Sequence, residues 1–312
     1  MLRILKEAPV TLQQLPPIGI PSTTPQPQFW NWRTHRIAYS VVGTGQPLIL
    51  LHGFGAAIGH WRNNIPALAA AGYQVFALDL LGFGASDKPA LDYSLDLWAE
   101  LLADFWTEQV QQPVVWIGNS IGALLSLIMA ARYPHLTRGA ILLNCAGGLN
   151  HRPEELNFPL RLVMGLFTRL VRSEVFGGFL FNRVRQKSQI RATLKQVYRN
   201  PAAITDELVE IIHVPSCDPG ARQVFAAILT APPGPQPAEL LPQVSSPLLV
   251  LWGEEDPWTP VSGGKIFQQP HPQVAIQFIS IPATGHCPHD ERPEQVNALM
   301  LDWLQQQLST PA

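Results

Sequence analysis

Charge is scarce in this chain of 312 residues. Asp, Glu, Lys and Arg make up only 14% of it, against about a quarter in an ordinary soluble domain. Such a surface is either unusually neutral or partly covered by a partner or a lipid. Cysteine is scarcer still. Cys145, Cys217 and Cys287 form an odd set with no C-x-x-C spacing, which argues against a disulfide framework or a zinc site and fits a reducing compartment. No apolar run reaches the ~18 residues that a membrane span needs. The stretch from Met1 to Gln28 lacks the apolar core of a secretory signal and is rich in proline, so residues 1–28 read as an extended arm. The net charge of −2 gives no reason to expect nucleic acid as a partner.

What charge there is lies unevenly. Residues 151–200 hold ten Lys or Arg against three acids, a local excess of +7. The rest holds 11 against 20, or −9. Segregation of this kind marks either a solvated basic face or a surface that meets an anionic partner.

Two textures of hydrophobicity divide the chain. Arg36 to Val42 alternates as an exposed hairpin strand does. Pro47 to Leu51, Gln74 to Leu80, Val114 to Ile117, Ala140 to Leu143, Pro247 to Trp252 and Ala275 to Ile281 are short apolar runs, as buried parallel strands should be. Between them, Trp61 to Ala71, Leu95 to Val110, Ile121 to Tyr133 and Pro293 to Leu308 carry helical spacing. This alternation predicts a mostly parallel, doubly wound sheet built from residues 29–147 and 239–312. Residues 148–238 lack strand runs and read as a helical cap inserted into that sheet. Its ends, Gly147-Gly148 and Pro232-Pro233-Gly234-Pro235, look like hinges or linkers.

The chemistry centres on Gly118-Asn119-Ser120-Ile121-Gly122. The pattern G-x-S-x-G is weak alone, but here a strand runs directly into it and a helix leaves it. That is the setting of a nucleophile elbow, whose tightness demands small residues two places either side of the serine. A serine hydroxyl needs a base within hydrogen-bond reach, and this architecture, the α/β-hydrolase fold, orders its triad Ser, acid, His along the chain. His286, just after the last strand, is the expected base, with His289 as its rival. Asp256, after the strand ending at Trp252, is the expected acid, with Glu254 and Glu255 as alternatives. The loop His52-Gly53-Phe54-Gly55 and the residue after the nucleophile should supply the oxyanion hole, through the backbone N–H groups of Phe54 and Ile121. The Phe54 side chain is then free to line a substrate pocket.

In the cap, a helix from Arg161 to Arg172 would gather Leu162, Val163, Leu166, Phe167, Leu170 and Val171 on one face and Arg161, Arg169 and Arg172 on the other. Leu162, Leu166 and Phe167 are candidate substrate contacts. Arg169, Arg172, Phe176 and Phe179 are candidate membrane contacts, since a basic amphipathic helix beside exposed aromatics suits a lipid surface. It equally suits a cap that roofs an apolar pocket.

The stretches HGFGAAIGHWRNN (52–64), DLLGFGASDKP (79–89), IGNSIG (117–122), LLNCAGGLN (142–150), FNRVR (181–185), ILTAPPGP (228–235), LWGEEDPWTP (251–260) and GHCPHDERP (285–293) together resemble the chlorophyll dephytylases of photosynthetic organisms, relatives of pheophytinase. The resemblance runs from about Pro47 to Leu308. It departs at Ala123, where pheophytinases carry a second glycine. It implies cleavage of the phytyl ester of chlorophyll or pheophytin to chlorophyllide or its analogue and phytol, through an acyl-enzyme, without a cofactor or a protein-bound metal. It further implies peripheral attachment to a thylakoid membrane on its cytoplasmic or stromal side. A general lipid carboxylesterase or an acyltransferase keeps the same triad and is the alternative. Dehalogenases and epoxide hydrolases of this architecture use an aspartate at the elbow, and Ser120 argues against them. A non-catalytic binding protein would have no need of an intact triad.

Overall fold

A computed structural model describes residues 26–150 and 168–308. Eight strands form a single sheet: β1 (Gln28–Trp32), β2 (His35–Val42), β3 (Gln46–Leu51), β4 (Tyr73–Leu78), β5 (Val114–Asn119), β6 (Thr137–Leu143), β7 (Leu248–Gly253) and β8 (Ile276–Ile281). Their order across the sheet is β1-β2-β4-β3-β5-β6-β7-β8. From β4 onward every pairing is parallel, while β1 and β2 run antiparallel at one edge. The parallel strands are apolar throughout because both faces are covered. β5 and β7 are buried along their whole length.

Helix α1 (Ile65–Ala70), α2 (Leu95–Phe105) and α3 (Ile121–Arg132) follow β3, β4 and β5. The first is shorter than its sequence spacing predicts. Trp61 instead belongs to a tight 3-10 turn, Ile58–Trp61, and the α-helix starts only at Ile65 with Pro66 in its first turn. Proline is tolerated there because those N–H groups have no intrahelical acceptor. β2 also departs from expectation. Its centre, Ile37 to Ser40, is buried rather than exposed. β1 accounts for part of that: it extends the sheet at this edge, and the indoles of Trp30 and Trp32 donate to Glu108 (2.8 Å) and Asp104 (2.7 Å).

Between β6 and β7 the described residues are helical: a short turn at 168–172, then α4 (Glu174–Val184), α5 (Lys187–Val197), α6 (Asp206–His213), α7 (Ala221–Leu229) and α8 (Pro237–Leu240). The two ends of this insert are fastened to each other. The amide of Leu149 donates to Pro233 O (2.7 Å), and Asn150 Nδ2 donates to the carbonyls of Ile228 and Ala231. A one-turn helix α9 (Pro288–Glu291) and the long α10 (Pro293–Leu308) close the chain. Among the described residues no helix is long and apolar enough to cross a membrane.

Candidate active site

Ser120 stands between β5 and α3 with φ 57° and ψ −118°. A non-glycine residue in this region costs on the order of 1–3 kcal/mol and persists only where its surroundings hold it. Those surroundings are visible. The Ser120 amide donates to Leu143 O (3.0 Å), and its carbonyl accepts from Ala146 N (3.2 Å) and Leu124 N (3.1 Å). A Cβ on Gly118 would lie 2.1 Å from the Gly122 carbonyl, and one on Gly122 would lie 2.2 Å from Leu51 O. Both glycines are therefore sterically required, as the motif predicts.

His286 follows β8, and its Nδ1 lies 2.6 Å from Asp256 Oδ2. Both are buried. Asp256 is held by more than the imidazole. Its Oδ2 accepts from Asn144 Nδ2 (2.7 Å) and Thr259 Oγ1 (2.5 Å), and its Oδ1 accepts from the amides of Trp258 (2.7 Å) and Thr259 (3.1 Å). Burial alone would raise the Asp256 carboxyl, but the His286 and Thr259 hydrogen bonds outweigh it and leave the pKa below the usual carboxylate value. The anion is thus the resting form, and an imidazole beside it is fixed with its proton on Nδ1 and its Nε2 available as a base.

The competing assignments separate cleanly. His289 is fully buried, packed on Trp61 (ring centroids 4.1 Å) and against His60 (4.7 Å), and burial holds its pKa well below the usual imidazole value. Glu254 accepts from Ser280 Oγ, and Glu255 is paired with Arg199 at the surface. Of these three acids, Asp256 alone meets the imidazole of His286.

Ser120, His286, Phe54 and Ile121 all line one cavity of about 480 Å³ beneath the helical insert. Its wall is chiefly apolar, with Phe83, Phe181, Phe225, Leu149, Ile228 and Trp258 among the contributors. Gly53 sits against Ser120: a Cβ there would be 3.3 Å from Ser120 Cβ. The Phe54–Gly55 turn is therefore delivered beside Ser120. His52 holds the base of that turn, with Nδ1 on its neighbour's carbonyl, Gly53 O (2.7 Å), and Nε2 accepting from Leu80 N (3.1 Å). Burial lowers its pKa to about 4, so the ring stays neutral. Leu162, Leu166 and Phe167, the other expected substrate contacts, lie outside the described residues. Arg169, Arg172, Phe176 and Phe179 are exposed on the insert's outer side, Phe179 to 71%.

Sequence reasoning passed over Asn144, Thr259 and Asn119. Asn144 takes φ 44°, a left-handed conformation that asparagine tolerates better than most residues. Its Oδ1 accepts from Gly253 N (2.9 Å), which fixes the amide so that Nδ2 faces Asp256. Asn119 Nδ2 donates to His286 O (2.9 Å), tying the elbow to the histidine loop. The available signal for Asn144 was a polar residue directly at the end of an apolar strand, at the edge of the sheet where active sites form.

Sheet order, elbow and loop positions together define an α/β hydrolase. A model of the alpha/beta hydrolase family matches residues 48–299, and the chain belongs to that family. It is 30% identical to the chloroplastic pheophytinase of Arabidopsis thaliana over 296 residues, which cover 82% of this chain and 60% of that protein, so it spans less than two thirds of that relative's length. It is 28% identical over 285 residues to the 2-hydroxy-6-oxo-6-(2'-aminophenyl)hexa-2,4-dienoic acid hydrolase of Metapseudomonas resinovorans, covering 85% of this chain and 86% of that one. Among solved structures, a thermophilic esterase from Thermogutta terrifontis superposes with a TM-score of 0.71 at 25% identity, covering 90% of this chain and 99% of that one.

Proposed function

We propose that this hydrolase cleaves a long-chain ester by a serine mechanism, and that the ester is the phytyl ester of chlorophyll or pheophytin. The observation that carries the reading is an apolar cavity with Ser120, His286 and the Phe54 turn on its wall. Polar groups on the wall of an apolar cavity suit a polar ester linkage attached to a hydrocarbon chain. The similarity to pheophytinase supports the choice of a phytylated pigment.

In this mechanism Ser120 Oγ attacks the ester carbonyl while His286 Nε2 takes its proton. The N–H groups of Phe54 and Ile121 hold the oxyanion, and His286 then protonates the departing phytol oxygen. Water then attacks the acyl carbonyl as His286 takes one of its protons; the bond from that carbon to Ser120 Oγ breaks, His286 returns the proton to Ser120 Oγ, and the pigment leaves with its propionate free as an acid that ionises in water. Asp256 stays ionised throughout and orients the imidazole.

Substrate supply shapes the rest of the proposal. Burying a phytyl chain from water would yield roughly 0.8 kcal/mol per CH₂, but a pigment already in lipid or protein gains little of this on transfer. Docking at the membrane supplies what affinity alone does not. The exposed side chains Val175, Phe176 and Phe179 on α4, flanked by Arg169 and Arg172, form the docking face. Its location in the cell would be the stromal or cytoplasmic face of a thylakoid membrane.

The test is incubation of purified protein with chlorophyll a or pheophytin a in detergent, followed by pigment chromatography, in parallel with p-nitrophenyl esters of short and long chain. Release of dephytylated pigment supports the proposal. Turnover of the p-nitrophenyl esters with intact pigment would point to a general lipid esterase, and ester formation on adding an alcohol to a transferase.

A further inference from the structure

We infer that Glu291 is a positioning residue for hydrolysis: its buried carboxylate clamps segment 197–200 of the helical insert onto the loop that carries His286. This rests on the assignment of Ser120, His286 and Asp256 as the catalytic groups.

Glu291 is only 2% exposed, yet it reaches three backbone donors. Its Oε2 accepts from Gly285 N (2.9 Å), and its Oε1 accepts from Arg199 N (2.9 Å) and Asn200 N (2.8 Å). Gly285 immediately precedes the base, and Arg199 and Asn200 belong to the insert. One carboxylate therefore joins the two. The next amide along is held by the same segment: His286 N donates to Val197 O (2.8 Å). The approach is so close that a Cβ on Gly285 would lie 1.8 Å from Val197 O. Both peptide N–H groups that set the position of the imidazole are thus bound, one to Glu291 and one to the insert.

The same segment touches the loops of the other candidate catalytic groups. Arg199 Nη2 and Nε donate to Glu255 O (2.8 and 3.2 Å), on the residue before Asp256. Tyr198 OH lies 2.8 Å from His60 Nε2, in the turn that follows the oxyanion loop, and donates to Asp290 Oδ2 (2.7 Å). Asp290 in turn pairs with Arg62 at 2.8 Å. Consecutive acids thus grip consecutive residues of the insert.

A carboxylate fits this position for a chemical reason. Three converging N–H groups need an acceptor-only partner, and a glutamine would turn an NH₂ toward at least one of them. Loosening the clamp frees the backbone under His286 while disturbing little of the cavity wall, since Val197 alone of segment 197–200 lines it. Proton transfer tolerates displacements of only ~0.5 Å, and a shift near 1 Å costs on the order of 100-fold. The effect should therefore fall on kcat rather than KM.

The test uses the full chain, p-nitrophenyl butyrate as substrate, and the downfield proton resonance of the short His286–Asp256 hydrogen bond. Glu291→Gln is expected to lower kcat by about 30- to 100-fold with KM within about threefold, and to broaden or abolish the resonance, at a temperature where the variant is folded. Glu291→Asp keeps the charge but shortens the reach by one methylene, so that it no longer spans all three amides; it is expected to lower kcat by about three- to tenfold and decides the matter if Glu291→Gln does not fold. Wild-type kcat and an unchanged resonance in a folded Glu291→Gln, or in Glu291→Asp where that variant alone folds, would overturn the clamp. A wild-type protein inert to both the ester and a fluorophosphonate would instead bring down the triad assignment beneath it.

Discussion

The two sides of the helical insert are built on opposite rules. On its outer side α4 sets Val175 at 87% and Phe179 at 71% exposure, with arginines alongside. On its inner side Val197 and Tyr198 are 2% and 3% exposed, and the polar groups of segment 197–200 are bonded to the loops of the sheet. A single insert thus carries both the proposed docking face and a wall of the candidate active site. Because the inner side is tied to the catalytic loops, any adjustment of the insert for substrate entry is expected at α4 and not at the end of α5.

The comparison can be broken from either side. The largest effect belongs to the inner side: Ser120→Ala should reduce ester turnover by on the order of 10⁶ in kcat, while retention on anionic vesicles stays at wild-type level. Turnover loss accompanied by loss of vesicle retention would mean that the two sides are not separable.

Removing the fixed amide next to the acid comes second. Asn144→Ala takes a hydrogen bond from Asp256 and should lower kcat by about 10²-fold with KM nearly unchanged, read from steady-state kinetics on a soluble ester. An effect on KM alone would place Asn144 in substrate binding rather than in orienting the acid.

A smaller, opposite pattern is expected on the outer side. Phe179→Asp should reduce retention on anionic vesicles at low salt by roughly ten- to hundredfold, given roughly 1.5–3 kcal/mol for a fully buried side chain of this size, and leave soluble-ester turnover untouched. Equal retention of variant and wild type would remove α4 from the docking face.

The smallest effect is on stability, and it tests how dry the inner side is. His52 and His60 have pKa values lowered by burial to about 4 and about 3, and His289 lies well below 6.5 for the same reason. Each is neutral when folded but takes a proton when unfolded, so its contribution is present above pH 6.5 and is lost as pH falls toward the folded value. Asp256, lowered when folded, acts in the same direction at more acid pH. Asp79, raised by burial to about 6, and Asp290, also raised by burial, act oppositely and gain as pH falls. The three histidines oppose the two raised carboxyls, and the expected outcome is a modest net loss of stability as pH falls from about 6 toward about 4. Urea midpoints across that window measure it, and a flat profile would mean that these rings are hydrated.

How much of this was legible in the sequence follows from the same contrast. The sheet and elbow are local: a strand, Gly118, Ser120 and Gly122 lie within a few residues, and the steric demand that selects the glycines is written there. The base and acid follow from chain order. Segment 197–200 is not legible in this way. Val197 matters because His286, 89 positions later, donates to its carbonyl, and Glu291 matters because of two amides in another element. A backbone carbonyl leaves no trace in side-chain pattern. Asn144 falls between the two cases, since its position at a strand end was visible but its left-handed turn toward Asp256 was not. The shortened α1 was missed because Pro66 reads as a breaker or as a helix start until Trp61 is seen to be buried.

The most direct measurement is the mass of peptides from protein treated with a fluorophosphonate. One adduct on the peptide holding Ser120, absent in Ser120→Ala and strongly slowed in His286→Ala, is the expected result. An adduct on another residue, or labelling of Ser120 that proceeds equally fast without His286, would contradict the account.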